Sequence, residues 1–235
     1  VYYADPANFK ATGTHKVILT GTSQQKIRFD NPASSCFVDF ENKNTSKSPL
    51  IVTGGLCISG KFTNNGYGFG ASLNVGSTNW TLTGDEVIEG DLNVSGSTID
   101  LNGKVLRVRG NLNQSGGTID LKGGSLFVEG NSETNSNGNY TQTGGTMYID
   151  GGRLEVSGDY TIKNPGNYAH AYLNMTNEAD YVKIGGSFTQ HSYYSHEGKL
   201  TAGTMEIKGD FIQDTVSVYY ADPANFKATG THKVI

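Results

Sequence analysis

A short motif recurs along the chain, and it constrains the fold more than any other feature of the sequence. Each copy opens with glycine and one polar residue, continues with an apolar or aromatic residue, and usually follows with Asn or Thr. The opening glycines are Gly60, Gly90, Gly110, Gly138, Gly158, Gly186 and Gly209. The most regular copies, residues 90–109 and 110–129, are each 20 residues long. A repeat of this length is typical of an array in which each unit packs on its neighbours.

Each regular copy contains three short segments in which apolar and polar residues alternate. In the copy that opens at Gly90 these segments are 92–94, 99–101 and 106–108. Alternation with a period of two predicts β-strands with one buried face, and no stretch shows helical periodicity. We therefore predict an all-β fold, a right-handed parallel β-helix or β-solenoid, with three short strands in each coil of about 20 residues.

The predicted core follows from aligning the copies on the glycine that opens the next one. The fourth and second residues before that glycine are apolar in nearly every copy, and we expect them to form a continuous buried column: Leu56, Ile58, Leu106, Val108, Leu126, Val128, Leu154, Val156, Met205 and Ile207. The same offsets before Gly21 give Val17 and Leu19. Glu86 and Ile88 interrupt the pattern, because a carboxylate stands where other copies have an aliphatic residue. We expect a bulge or a displaced strand there.

A second repeat is identical in its two occurrences. The sequence VYYADPANFKATGTHKVI occupies residues 1–18 and again residues 218–235. We interpret residues 1–217 as one complete repeat unit and residues 218–235 as the start of the next. On this interpretation the chain is cut from a longer polypeptide and begins within it; an artificial duplication is the alternative.

Composition and charge exclude several classes of function. The net charge of -4, from 18 basic and 22 acidic residues, gives no field that would attract nucleic acid or an anionic membrane. No apolar segment approaches the roughly 20 residues needed to cross a bilayer, and the first residues lack the features of a signal peptide. The glycine-rich segments are not followed by helices, so we expect no phosphate site and no cofactor.

Two aspartates are the best candidates for ligand chemistry. Asp100 and Asp120 occupy equivalent outward positions in neighbouring copies, with Tyr148 next in line. Stacked carboxylates could hold calcium, or act as acid and base on a sugar, but they are also common as solvated surface residues. No third carboxylate or basic residue obviously converges on them, so we assign no catalytic residue and no metal ligand.

The histidines, aromatic residues and cysteines suggest no further site. His191 and His196 are separated by an odd number of residues, which places their side chains on opposite faces of a strand, so we favour a surface loop over a metal site. Aromatic residues such as Trp80, Tyr193 and Tyr194 could stack on sugars, although packing is the simpler interpretation. Cys57 points outward between buried neighbours, whereas Cys36 shares the parity of Val38 and Phe40. We therefore predict two free thiols.

The alternation of coils like NLNQSGGTIDLKGGSLFVEG with the segment FKATGTHKVILTGTSQQKIRFDNP resembles the tandem repeats of very large bacterial surface and secreted proteins. The 20-residue coil is similar to the solenoid stalk repeats of filamentous-haemagglutinin-type adhesins. The resemblance implies a solenoid fold, an extracellular or cell-surface location, a role as stalk, fibre or adhesive surface, and no catalytic residues. The repeats of ordinary solenoid adhesins drift in sequence, so an identical repetition points to a periodic fibre.

These observations predict a structural protein and not an enzyme. We expect one repeat of a long extracellular fibre or surface stalk that stacks end to end with identical repeats, in the same chain or between chains. Lateral contacts in the fibre and glycans are further candidate partners. The alternative is a carbohydrate-binding or polysaccharide-degrading β-helix that uses Asp100 and Asp120.

Overall fold

The computed structural model describes residues 9–30, 34–48, 50–53, 56–65, 73–75, 79–131, 137–164, 166, 170–216 and 222–235. These residues form 22 β-strands and no helix, so the fold is all-β as predicted. The strands are β1 (Lys16–Leu19), β2 (Lys26–Arg28), β3 (Asp39–Asn42), β4 (Ile51–Thr53), β5 (Phe62–Asn64), β6 (Leu73–Val75), β7 (Trp80–Thr81), β8 (Glu86–Ile88), β9 (Leu92–Val94), β10 (Thr98–Asp100), β11 (Val105–Val108), β12 (Leu112–Asp120), β13 (Ser125–Val128), β14 (Tyr140–Tyr148), β15 (Arg153–Val156), β16 (Tyr160–Asn164), β17 (Ala171–Asn174), β18 (Tyr181–Ile184), β19 (Phe188–Ser192), β20 (Thr204–Ile207), β21 (Phe211–Gln213) and β22 (Lys233–Val234).

Every pairing between these strands is parallel. A seven-stranded sheet has the order β8-β11-β13-β15-β18-β20-β22, and a ten-stranded sheet follows the path β7-β10-β12-β14-β16-β19-β21 with β6, β9 and β17 attached. Two smaller sheets have the orders β1-β3-β5 and β2-β4. From Gly90 onward each strand pairs with its counterpart in the next copy of the motif. Strand β9, which follows Gly90, pairs on its other side with β6, whereas β5, which follows Gly60, pairs with β3, so the predicted coil start at Gly60 does not align with the later ones. Among the described residues there is no helix that could span a membrane.

The copy that opens at Gly90 contains three short strands, β9, β10 and β11, at the positions that alternation predicts. In the copies that open at Gly110 and Gly138, the first two segments join into one nine-residue strand, β12 or β14. The register between β12 and β14 shifts on both sides of Ser115, two residues before Gly117, whose φ is 70°. The chain therefore turns at a bulge without interrupting the pairing, which is how two predicted strands become one.

The seven-stranded sheet carries the predicted apolar column from Leu106 onward, but Leu56 and Ile58 lie outside this sheet, since Ile58 pairs with Phe37 in an isolated bridge. Leu106 pairs with Leu126, and Leu126 with Leu154, while Val108, Val128 and Val156 form a parallel row. Nine of the ten predicted column residues are buried, and Ile207 is partly buried. Val182 and Ile184, which our alignment omitted, continue the two rows in β18.

The opening glycines are required by close backbone packing. None of the seven has a positive φ. A Cβ atom at Gly110 would lie 2.5 Å from the carbonyl carbon of Gly90, and one at Gly209 would lie 2.7 Å from the carbonyl group of Gly186. A side chain at Gly110 or Gly209 would push neighbouring copies apart.

The polar residue after the glycine explains the second position of the motif. The side-chain oxygen of Asp91 accepts the backbone N–H of Asn111 at 2.7 Å, and that of Asn111 accepts the N–H of Asn139 at 3.0 Å. The series continues from Asn139 to Asp159 at 2.9 Å and from Asp159 to Ser187 at 2.8 Å. Asp and Asn are suited to this position because a short side chain can satisfy a neighbouring backbone donor.

The expected bulge at Glu86 and Ile88 is wrong. Strand β8 pairs with β11 in register, Glu86 with Leu106 and Ile88 with Val108. The Glu86 side chain is buried in the core, where it accepts a hydrogen bond from Asn64. Asn64 in turn accepts a hydrogen bond from Asn42 at 2.8 Å. Because the carboxyl group has a buried polar partner, the strand keeps its place in the sheet.

The prediction of free thiols is also wrong, because Cys36 and Cys57 form a disulfide with a Cα–Cα distance of 4.6 Å. The chain bends at Val38, so alternation stops there, and Phe37 and Phe40 both point into the core. Phe37 pairs with Ile58, which brings Cys36 beside Cys57 on the same side of neighbouring strands. Because of this bend, Cys36 does not share the orientation of Phe40.

Candidate functional site

The three residues of the predicted ladder lie side by side on the ten-stranded sheet. Asp100 of β10 pairs with Asp120 of β12, and Asp120 pairs with Tyr148 of β14. Equivalent residues on neighbouring parallel strands lie about 4.8 Å apart. The structure thus brings together the residues that the sequence placed in line.

A lysine that the sequence analysis missed lies between the two carboxylates. Lys122 Nζ is 2.6 Å from Asp100 Oδ2 and 4.0 Å from Asp120 Oδ2. The hydrogen bond to Asp100 raises the pKa of Lys122, whereas burial is the main cause of a raised pKa at Asp120. Lys122 lies in the turn that follows β12, with a φ of 43°, so alternation along a strand could not place its side chain.

This arrangement weakens the interpretation of the ladder as a metal or acid–base site. Lys122 supplies the positive charge that a bound cation would otherwise supply to Asp100. Among the described residues, no group of three His, Cys, Asp or Glu side chains is placed to hold a metal ion. The ladder is a partly exposed ion-pair cluster in which Lys122 pairs closely with Asp100, whereas Asp120 Oδ1 is buried and has no hydrogen-bond partner among the described residues.

The two histidines near the end of the chain have different surroundings and do not converge. His191 Nδ1 lies 3.0 Å from Asp214 Oδ2 at the surface. His196 is fully buried, which corrects the surface-loop prediction for this residue. Its Nε2 accepts the backbone N–H of Leu173 at 3.0 Å, and burial lowers its pKa to about 4. A neutral His196 is therefore a structural acceptor in the core.

The aromatic residues considered for stacking on sugars pack mainly against other aromatic side chains. Trp80 is buried, and its ring centroid lies 4.9 Å from that of Phe62. Tyr193 and Tyr194 are half-buried and contact each other at a centroid distance of 4.8 Å.

The segment that occurs twice forms edge strands of two different sheets. Strand β1 is the first strand of the sheet β1-β3-β5, and β22, which repeats its sequence, is the last strand of the seven-stranded sheet. Both occurrences contain the same turn, with φ of 66° at Gly13 and 64° at Gly230. The local conformation therefore depends on the segment itself.

The two occurrences use opposite edges of the strand. In β22, the N–H groups of Lys233 and Ile235 donate to the carbonyl groups of Gly203 and Met205, on the side of β20. In β1, which pairs with β3, the carbonyl groups of His15 and Leu19 accept the N–H groups of Asp39 and Lys43. Lys233 and Ile235 correspond to Lys16 and Ile18. The segment therefore bonds to β20 through these residues and to β3 through the residues that alternate with them, His15 and Leu19. Successive backbone groups of a strand point to opposite edges, so one copy of this segment can bond on both sides at once.

The phenylalanine of the segment has different aromatic partners in its two occurrences. Phe9 packs on Phe29 and Phe37, with centroid distances of 6.1 Å and 5.6 Å. Its counterpart Phe226 packs on Phe188 and Phe211 at 6.1 Å and 4.9 Å. The ring thus has complementary aromatic partners in both of its settings.

The ends of the sheets also hold most of the exposed apolar surface. Six large hydrophobic side chains of the described residues are exposed, and five of them lie in or next to β1, β21 and β22: Ile18, Phe211, Ile212, Val234 and Ile235. Such a concentration is typical of a surface that another structure covers.

Comparison with protein-family models, curated proteins and solved structures gives no match.

Proposed function

We propose that the chain is one repeat of a long extracellular fibre or surface stalk of a bacterium, built as a continuous right-handed β-solenoid. Its role is mechanical extension, and identical neighbouring repeats stack on its two ends. The observation that supports this proposal best is that the twice-occurring segment bonds through opposite edges in β1 and β22. Placed between two repeats, it would join β20 of one to β3 of the next.

The sheet pattern supports the solenoid. All pairings of the described strands are parallel, and from Gly90 onward they connect equivalent positions of neighbouring copies of one motif. Parallel strands in one sheet need crossover connections, and such connections are right-handed in about 98% of cases. About ten coils at 4.8 Å would make each long repeat roughly 50 Å in length.

The Cys36–Cys57 disulfide supports a location outside the cytosol. Disulfides persist mainly in oxidising compartments, including the cell surface and the secreted environment. The cross-link connects two neighbouring parallel segments of the chain, which suits a protein that has to resist separation of its coils.

The proposal is tested by electron microscopy of three proteins, which contain one, two or three tandem copies of residues 1–217. Each protein ends with one copy of residues 218–235. We expect unbranched rods whose length increases by roughly 50 Å per copy at constant width. Replacing Val17 by Asp at the internal junctions places a charge where β1 contributes to the core, and should produce bends at those junctions only. Separate globules connected by thin linkers would contradict the proposal.

A further inference from the structure

A row of side-chain amides lies on the outward face of the ten-stranded sheet. Asn74 of β6 pairs with Asn93 of β9, and Asn93 pairs with Asn113 of β12. The row continues to Thr141 of β14. Each member therefore belongs to a different copy of the motif, and neighbours are separated by about 4.8 Å.

Hydrogen bonds within the row fix the orientation of the amides. Asn113 Nδ2 donates to Asn93 Oδ1 at 2.9 Å, and Asn93 Nδ2 donates to Asn74 Oδ1 at 2.7 Å. An amide has two N–H donors and two acceptor lone pairs, so Asn93 keeps one donor and one acceptor after making these bonds. The row presents oriented donors and acceptors at regular intervals, which lowers the entropic cost of binding a ligand.

The amide row lines a groove with a volume of about 590 Å3. Hydroxyl groups of Ser95, Ser115 and Thr141 contribute to the same groove. No Asp, Glu, Lys or Arg belongs to its described lining. The outward face of the seven-stranded sheet differs, because Arg107, Glu155 and Lys183 lie on it.

We propose that this groove binds a neutral linear polysaccharide that lies along the direction in which the strands stack. Sugar hydroxyls both donate and accept hydrogen bonds, as carboxamides and serine or threonine hydroxyls do, so successive sugars can bond to successive copies of the motif. The absence of charge from the lining favours an uncharged glycan over an acidic one. This site is separate from the Asp100–Asp120 ladder and does not depend on fibre formation.

Affinity electrophoresis of the whole chain tests the site, with galactomannan, xyloglucan, hydroxyethylcellulose or dextran in the gel and polygalacturonate as the acidic control. We expect at least one neutral glycan to retard the chain, and polygalacturonate not to retard it. The double variant N93A/N113A should bind about tenfold more weakly or not at all, because it removes two central amides. T189A changes a residue of the same row outside the groove and should bind normally.

A second variant covers the case in which N93A/N113A does not fold. Ser115→Arg leaves the amide row intact and fills the groove from an exposed position, so it should abolish retardation. The proposal is overturned if no neutral glycan retards the native chain, or if Ser115→Arg binds as well as the native chain. Sedimentation tests whether the groove is instead a contact between two copies of the chain. If the groove variants lose self-association and keep glycan binding, the proposal is also overturned.

Discussion

Asn64 donates a side-chain hydrogen bond to Glu86, 22 residues further along the chain, inside the core. Burial raises the pKa of Glu86 to about 8, although the hydrogen bond from Asn64 lowers it. The carboxyl group is therefore mainly protonated at neutral pH in the folded protein, whereas it ionises near pH 4.5 in the unfolded chain.

The first prediction concerns the pH dependence that follows from Glu86. Between about pH 4.5 and 8 the folded state holds a proton that the unfolded state has lost, so stability falls as pH rises, by up to about 1.4 kcal/mol per pH unit. Above pH 8 the effect levels off. Glu86→Gln should remove this fall and be more stable than the native chain at pH 8, as measured by urea unfolding at several pH values. Parallel curves for the two proteins would contradict the assignment.

His196, in the last part of the chain, predicts the opposite dependence of stability on pH. Its pKa is lowered to about 4, so between about pH 6.5 and 4 the unfolded state binds a proton that the folded state excludes. The stability that neutral His196 contributes to the folded state is present above pH 6.5 and is lost as pH falls toward 4. The hydrogen bond from the Leu173 amide should weaken accordingly, and exchange of that amide, corrected for the intrinsic rate, should accelerate at pH 4.5 relative to pH 7. Unchanged protection at Leu173 would be evidence against this role.

A matched pair of glycine substitutions tests the packing of the motif. Gly110→Ala places a Cβ atom 2.5 Å from the Gly90 backbone, whereas Gly84→Ala meets nothing within 4 Å. We expect Gly110→Ala to lower the free energy of unfolding by about 2 kcal/mol or more, and Gly84→Ala to change it by less than about 0.5 kcal/mol. Denaturant unfolding measures both. Equal effects would mean that contact between neighbouring copies is not the reason for the glycine.

Asn139 belongs to the series of side chains that accept backbone N–H groups from the next copy of the motif, and two substitutions there should differ in their effect. Its Oδ1 atom accepts the backbone N–H of Asp159. Asn139→Ala removes the acceptor and should cost about 1–2 kcal/mol, whereas Asn139→Asp keeps an oxygen there and should retain most of the stability. Thermal unfolding at neutral pH distinguishes them. If both variants lost the same stability, the contribution of this hydrogen bond would be refuted.

Reduction of the Cys36–Cys57 disulfide should destabilise the first part of the chain. Its residues are separated by 21 positions, for which loop closure corresponds to about 3 kcal/mol in the unfolded state. Hydrogen exchange in Cys36→Ser/Cys57→Ser should increase around β3 and β5 and remain unchanged around β15 and β18. Uniform loss of protection along the chain would show that the array unfolds as one unit.

The regular part of the fold follows from the sequence because its determinants are local and repeated. The apolar residues at 106 and 108, and their equivalents at 126 and 128, recur at one interval, and parallel pairing in register is the arrangement that buries them all. The ladder residues Asp100 and Asp120 could be aligned for the same reason. What alternation alone misses is any place where the chain bends, as Val38 shows.

Polar residues in the core were harder to predict. A carboxylate at Glu86 suggests a defect when each copy is considered separately, and its partner Asn64 becomes visible only when neighbouring strands are in register. His196 is similar, because its partner is a backbone amide on a strand that precedes it by 23 residues. Lys122 was missed because its long side chain reaches Asp100 across a turn.

The pairing of each strand with its counterpart in the next copy determines how the molecule responds to tension. Backbone hydrogen bonds such as that from Gly186 N–H to the carbonyl oxygen of Gly158 connect neighbouring copies. Pulling on the chain termini would strip one copy at a time, and a 20-residue copy such as 90–109 would release about 65–70 Å of extended chain, with more from the longer copies. Force–extension traces would then show a series of steps whose lengths follow the lengths of the copies, and the molecule would absorb energy in small steps instead of breaking at a single load.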